Sequence, residues 1–376
     1  MAYQEVNIAD LQPGSYVVQV LQQTGEIVVK HAGWVRTTQA VDVLRQKGVR
    51  VLLIDPDKKL ISQVAEAPAP AATVTADEPP PRSLFSTEWP RAERVLQQTG
   101  KAQRQLLDAV RQEKAIDLSL IYEVSAGLSE SVARNQDVLL CLTRIAEQSD
   151  TLLQHSISCA VYMAAFGRYL GLPPHKVQAL ITAALLHDIG KTTNPDYLNA
   201  DDHVAIAASM TALQKTPHLA GEISLWISQH CAYLDGSGSP KISSKQIDKG
   251  SRMLAIVNHY ENLTSAHQGK QGPLNASRQL LDLTPRQLDG DLLQLFIKCI
   301  GVYPPGSVVK LSSGRLALVL ENNPKKPVQP KVKVFYHSVH QHHIPAKVLD
   351  LARQQDEQIE ACVDLKKFGL DVHNYL

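Results

Sequence analysis

The spacing of apolar side chains changes character twice along the chain. Over the first sixty residues apolar positions come in short runs broken by turns. Residues 15–21 (SYVVQVL) and 27–29 (IVV) read as strands, Thr38 to Lys47 carries a helical spacing, and Val49 to Ile54 reads as a further strand. This pattern predicts a small α+β domain over residues 1–64. Residues 65–82, AEAPAPAATVTADEPPPR, hold five prolines and almost no large apolar side chain. Such a stretch buries no core, so an extended linker is expected over 65–87.

From Glu88 to Gly301 the period is helical almost throughout. Between Leu152 and Leu170, His155 stands in line with Cys159, Tyr162, Phe166 and Leu170, which turns the histidine inward. Val177, Leu180, Ile181, Ala184 and Leu185 mark one buried face of the next helix. That helix delivers His187 and Asp188 at its C-terminal end, with Gly190 as the expected stop. Pro304-Pro305-Gly306 ends the helical part. Strand-like runs follow at Ser307–Leu311, Leu316–Leu320 and Lys331–Tyr336, separated by Ser-Gly and Asn-Pro turns. A helix from Ala346 to Ala361 is expected to close the chain. The predicted fold class is mainly α: a helical bundle over 88–303, preceded by the small α+β domain and followed by a β-rich C-terminal extension, 304–376, with a terminal helix.

Composition narrows the function classes. A chain of 376 residues suggests two or three domains, and 44% hydrophobic with 20% charged residues is ordinary for a soluble globular protein. A formal net charge of +1 argues against nucleic acid as a partner. No apolar run approaches the roughly 18–20 residues a membrane helix needs, so no membrane association is expected. The opening MAYQEVNIADLQ has neither a basic region nor an apolar run, so no export signal is expected. The five cysteines include no CxxC pair, which fits a reducing cytoplasm better than a disulfide framework or a structural zinc cage.

The candidate chemistry lies at His187-Asp188-Ile189-Gly190-Lys191. Adjacent side chains on a helix diverge by about 100°, so the pair serves one ion only where the helix ends or ligands converge from both sides. The segment offers an imidazole, a carboxylate able to bridge two ions, and a cation. A divalent metal there makes hydroxide available near neutral pH, and Lys191 is placed to hold a phosphate oxygen. His155 comes from an earlier helix and His230 from a later one, and helical bundles build metal sites from ligands gathered in this way. His337, His340, His342 and His343 read instead as solvated loop side chains, and Cys231 as a small buried residue rather than a soft ligand.

Gln154-His155-Ser156, the run Ala183 to Lys191 (AALLHDIGK), Gln229-His230 and Asp235-Gly236-Ser237-Gly238 resemble the HD-GYP family of the HD superfamily. The likeness extends from Asn135 to Leu172 and over Phe296 to Ser307. The first sixty residues are similar to the small domain of unknown function that often precedes such proteins. The resemblance implies an HD-type helical bundle and a bacterial phosphodiesterase that hydrolyses cyclic di-GMP with two or three metal ions, commonly iron or manganese. It implies that His155, His187, Asp188 and residue 258 form the first metal site, that Asp188 bridges to a second ion served by His230, and that Lys191 contacts phosphate. Asp188 and Lys191 are then the expected catalytic residues, and Lys191, Asp235, Gly236 and Gly238 the expected substrate-contacting ones.

The chain departs from the family pattern in definite places. The family segment runs His-His-Glu, two residues, Asp-Gly, one residue, Gly-Tyr-Pro. Here Cys231 stands for the second histidine, Ala232 for the glutamate and Ser239 for the tyrosine. Upstream, Pro217 occupies the position of another family histidine. His218 can substitute only if the helix start slips by one residue, a rotation of about 100°. Asn258 replaces an aspartate, and His259 beside it is expected to face the helix surface or to pack. The first-ion set therefore keeps His155, His187 and Asp188 with a neutral Asn258, while the second keeps Asp188 and His230. The cofactor expected is a divalent transition metal, iron or manganese, as one ion rather than two, or none. Three readings stay open. One is a cyclic di-GMP signalling protein with weak or lost hydrolysis, sensing the nucleotide or docking onto diguanylate cyclases or other signalling proteins. Another is an active cyclic di-GMP phosphodiesterase with a mononuclear or unusual centre. The third is a one-metal HD phosphohydrolase acting on another nucleotide.

Overall fold

The computed structural model describes residues 3–12, 15–24, 33–35, 38–46, 48–59, 82–146, 151–194, 196, 201–214, 216, 219–265, 271–354 and 356–375. Contacts divide the chain into two units, Met1–Glu78 and Pro79–Leu376.

In the first unit β1 (Gln4–Asn7), β2 (Ser15–Gln23), β3 (Gly33–Val35) and β4 (Val49–Lys59) form an antiparallel sheet in the order β1-β4-β2-β3, with α1 (Thr38–Gln46) between β3 and β4 in sequence. The register sets Val17 opposite Ile54 and Val20 opposite Leu52. Leu52 is fully buried in a small core with Ile8, Leu11, Val17, Val35, Val41 and Val49. The strand expected at 27–29 lies outside the described residues, as does the linker up to position 81.

The end of that expected linker is already structured. Ser83 donates its amide to the Arg134 carbonyl at 3.0 Å, and a helix begins at Phe85 rather than Glu88. The reason is aromatic: Phe85 and Trp89, one turn apart with ring centroids 5.5 Å from each other, both pack on the core.

The second unit is built from α2 (Phe85–Arg111), α3 (Leu118–Ile145), α4 (Thr151–Tyr169), α5 (Pro174–Leu186), α6 (Asp202–Gln214), α7 (Gly221–Gln229), α8 (Lys249–Thr264), α9 (Pro273–Asp282) and α10 (Gly290–Ile300). α4 is its axis. It is buried on nearly every face from Leu152 to Gly167, as a helix with apolar residues all round must be. Its small residues, Ser156, Ser158, Ala160, Ala164 and Ala165, let the neighbouring helices approach. Tyr162 of α4 meets Tyr260 of α8 edge-on at 5.4 Å, and Phe166 meets Phe296 of α10 at 5.3 Å. Edge-to-face aromatic pairs of this kind fix helix register. They turn toward α8 the same α4 face that carries His155 two turns earlier.

After the helices, β5 (Val308–Leu311), β6 (Arg315–Glu321), β7 (Lys331–His337), β8 (His342–Asp350) and β9 (Ile359–Cys362) form an antiparallel sheet in the order β8-β7-β6-β5-β9. It docks on α3 through Leu316, Leu318 and Phe335 against Cys141. Asp137 of α3 ties the junction, accepting from the Asn322 amide at 2.8 Å and pairing with Arg82 at 2.5 Å. The expected terminal helix over Ala346–Ala361 is absent. Residues 342–350 pair with β7, placing Leu349 opposite Val332, and residues 359–362 pair with β5. Ala, Leu, Gln and Glu favour a helix in isolation. Here the unpaired edges of β7 and β5 need backbone partners, Leu349 and Leu351 are buried beside Val332 and Val334, and the Asp350 carboxylate accepts from the Ala352 amide at 3.1 Å to turn the chain between the two strands. Among the described residues no helix is long and apolar enough to cross a membrane.

Candidate metal centre

α5 runs out at Leu186, and His187 and Asp188 follow at its open end, with Ile189–Thr192 forming a short 3-10 turn. Gly190 is not the helix stop the sequence suggested. It lies inside that turn, and a Cβ there would sit 2.1 Å from the Ser209 nitrogen of α6. Its amide donates to Ser209 Oγ at 3.0 Å. The glycine is therefore required for close approach of the turn to α6, which holds the His-Asp pair against the bundle.

Three histidines from three helices converge on Asp188. His155 Nε2 and His187 Nε2 are 3.1 Å apart, and each lies 3.5 Å from Asp188 Oδ2. His230, at the C-terminal end of α7, stands edge-on to His187 with centroids 5.1 Å apart. Ligand atoms of His187, Asp188 and His230 lie within 4.8 Å of one another, and so do those of His155, Cys159 and His187. All of these side chains are buried.

The outer nitrogens are all committed. His187 Nδ1 donates to the Ala184 carbonyl and His230 Nδ1 to the Ile227 carbonyl, each at 2.7 Å. His155 Nδ1 pairs with the Glu261 carboxylate of α8. These bonds leave the Nε2 lone pairs of His187 and His230 facing inward, the tautomer in which histidine binds metal, with the second nitrogen held by carbonyl or carboxylate. Burial outweighs Asp188 and keeps His187 neutral, its pKa held down to about 3, and burial likewise lowers that of His230. At His155 burial opposes charge, but Cys159 and Glu261 outweigh it and raise its pKa well above the usual value. Burial opposes the charge on Asp188, but it is outweighed by His187 whenever that ring is protonated and by Lys191, which stays charged when His187 is neutral, so the carboxyl is held well below its usual value. Lys191 Nζ sits 2.5 Å from Asp188 Oδ2. Inward lone pairs and a carboxylate crowded into a buried pocket are the donor set a divalent cation satisfies, so the residues fit a metal.

His155, His187, Asp188, His230 and Lys191 are thus brought together. The remaining expected positions make other contacts. Asn258 is buried on α8, one turn before Glu261, and its amide oxygen accepts from Asn262 at 3.2 Å. Asp235 accepts from the Ser237 amide at 2.9 Å and pairs with Arg286 at 3.1 Å. Gly236 has a left-handed φ of +76°. A Cβ on Gly238 would fall 2.1 Å from the Cys231 carbonyl oxygen. These three residues shape the 231–240 hairpin, which is closed by the Ser239 amide donating to the Cys231 carbonyl at 2.8 Å. Cys231 is buried, and Asp202 adds to that burial in raising its thiol pKa. His259 is half-buried and accepts from the Tyr233 hydroxyl at 3.1 Å, joining the hairpin to α8. Pro217 and His218 lie outside the described residues. Sequence reasoning missed Glu261. The available signal was a carboxylate on the apolar face that also carries Leu254 and Val257, where a buried acid needs a partner.

A helical bundle that closes His and Asp ligands from several helices around one point has the make-up of a metal-binding site. Residues 140–291 match the HD domain family, residues 3–121 a domain of unknown function (DUF3391), and residues 308–370 a KOW domain associated with HD domains. The chain thus carries an HD domain between a DUF3391 region and a KOW domain of the HD-associated type, and an HD domain implies dependence on a divalent metal. It is 29% identical over 346 residues to the cyclic di-GMP phosphodiesterase PA4108 of Pseudomonas aeruginosa, covering 86% of this chain and 83% of the relative. It is 25% identical over 190 residues to the cyclic di-GMP phosphodiesterase PdeB of Borreliella burgdorferi, spanning 46% of this chain and 50% of that one. A 3'3'-cGAMP-specific phosphodiesterase of Vibrio cholerae is 30% identical over 156 residues, 39% of this chain and 36% of its own length. Among solved structures, Bd1817, an HDG"Y"P protein from Bdellovibrio bacteriovorus, aligns with a TM-score of 0.48 at 15% identity over 78% of this chain and 98% of that one.

Proposed function

We propose that this chain acts on cyclic di-GMP through a centre reduced to one divalent ion, iron or manganese by family resemblance, and hydrolyses it slowly or not at all. The observation that carries the reading is the asymmetry of the donors. His155, His187 and Asp188 converge with their outer hydrogen bonds complete. His230, in contrast, is followed by Cys231 and Ala232, which cannot replace an imidazole and a carboxylate. When bound, the ion supplies Lewis acidity toward phosphoryl oxygens and a nucleophile from water near neutral pH.

The chain's own groups do the rest. Glu261 orients His155, the Ala184 and Ile227 carbonyls orient His187 and His230, and Lys191 exchanges its Asp188 partner for a non-bridging phosphate oxygen. Asp235, Gly236 and Gly238 keep the 231–240 hairpin in shape beside the substrate. A second ion would clamp the leaving oxygen as well as the attacking one. Its loss costs several kcal/mol of barrier, with about 1.4 kcal/mol per tenfold in rate.

The test is elemental analysis of purified protein together with chromatography of cyclic di-GMP incubated with it. One ion per chain, with slow turnover or tight nucleotide binding that disappears in His187→Ala, supports the reading. Two fully occupied ions with rapid turnover overturn it, as does failure to retain any ion from a panel of divalent metals.

A further inference from the structure

α4 brings one more donor into this pocket. Cys159 follows His155 by four residues, so both side chains leave the same face of the helix. Its sulfur lies 3.7 Å from His155 Nε2, and within 4.8 Å of the donor nitrogens of both His155 and His187. It is fully buried and reaches no solvent. On α8 the expected ligand, Asn258, is neutral, and its oxygen accepts from Asn262 at 3.2 Å. The acid that α8 does offer, Glu261, is spent on the outer nitrogen of His155. The pocket thus has one anionic oxygen donor in Asp188 and a sulfur on the facing helix.

We propose that Cys159 is a direct ligand of the ion, completing a His155, Cys159, His187 and Asp188 donor set. The inference rests on the one-ion reading above. On binding, the sulfur–hydrogen bond is replaced by a sulfur–metal bond and the proton leaves to solvent, with no change of oxidation state. Thiolate and carboxylate together neutralise a dication, which matters in a buried pocket. Two imidazoles, one thiolate and one carboxylate form a four-coordinate set that favours zinc, cobalt or iron(II) and disfavours manganese, a poor partner for sulfur.

Metal-free full-length protein loaded with Co(II) tests this. The expected spectrum has a sulfur-to-metal charge-transfer band in the near ultraviolet that is lost in Cys159→Ser and Cys159→Ala and kept in Cys231→Ser. Zinc affinity is expected to fall at least tenfold in the two Cys159 variants. Zinc-edge X-ray absorption of the unmodified protein gives an answer that needs no variant to fold: a sulfur shell at about 2.3 Å beside nitrogen and oxygen at about 2.0–2.1 Å. A bound ion with only nitrogen and oxygen neighbours overturns the Cys159 assignment and leaves the one-ion reading standing. A sulfur band lost in Cys231→Ser and retained in Cys159→Ser also overturns it. Failure of every metal to bind overturns the one-ion reading itself.

Discussion

Replacing Glu261 by Gln separates charge from shape at the point where α8 touches the metal pocket. The amide is nearly isosteric and still offers an oxygen to His155 Nδ1, so the ring keeps its orientation while the buried carboxylate loses its charge. An imidazole ring holds that carboxylate about 6 Å from an ion on Nε2. At an effective dielectric near 20, the attraction is about 3 kcal/mol per unit charge, or about 6 kcal/mol for a dication. The same carboxylate also favours a proton on His155, which must leave before the ion binds, and this offsets about half of the gain. Relaxation of the site reduces the remainder. The expected net loss is about 1.4–2.8 kcal/mol, a 10- to 100-fold weaker affinity, in the range found for outer partners of metal-bound histidines. Competition between the apo-protein and a chromophoric chelator measures it, with circular dichroism confirming the fold. An affinity unchanged within twofold in a folded Glu261→Gln protein refutes the view that this carboxylate supports the metal ligand.

Three further changes probe the surroundings. Lys191→Met removes the cation paired with Asp188 at 2.5 Å; the ion should bind about tenfold more tightly while cyclic di-GMP binds more weakly, both measurable by calorimetry, and a parallel change in the two affinities contradicts the assigned role. Gly190→Ala forces a methyl group to within 2.1 Å of the Ser209 nitrogen, and the backbone shift should cost about 1–3 kcal/mol or more in denaturant unfolding; a neutral result means that the turn is not pressed on α6. The Asp235 pKa is lowered to about 2, chiefly by Ser237 and further by Arg286. Because the folded value lies below the unfolded one, the contribution of Asp235 to stability is present above about pH 4 and lost as the pH falls toward 2; Asp235→Asn should flatten that part of the acid-unfolding curve, and superimposable curves count against the Ser237 and Arg286 contacts.

What the sequence made legible follows from the range of the interactions involved. His187 and Asp188 stand out because they are consecutive and end a run with one apolar face. His155 stands out because its helical period with Cys159, Tyr162 and Phe166 is local. Glu261 is bonded to His155, 106 residues away, and no local period announces such a contact; only its cost as a buried acid hints at it. The misplaced terminal helix has the same origin. Propensity is local, whereas the demand of the β7 and β5 edges for backbone partners comes from strands laid down earlier in the chain.

The 231–240 hairpin is held by contacts that do not depend on the side chains at positions where chemistry was expected. Its closure rests on a backbone bond between Ser239 and Cys231, on a left-handed turn at Gly236, and on a position at Gly238 that admits no side chain. None of these contacts uses the side chain at 231, 232 or 239. Substitution at those three positions therefore leaves the hairpin able to close. His230 sits just before this interval, with its ring held by the Ile227 carbonyl of its own helix, so its orientation does not depend on the side chains at 231, 232 and 239. His155, His187 and His230 are each oriented by a carboxylate or carbonyl on α8, α5 or α7, and none of those contacts involves the hairpin side chains at 231, 232 or 239.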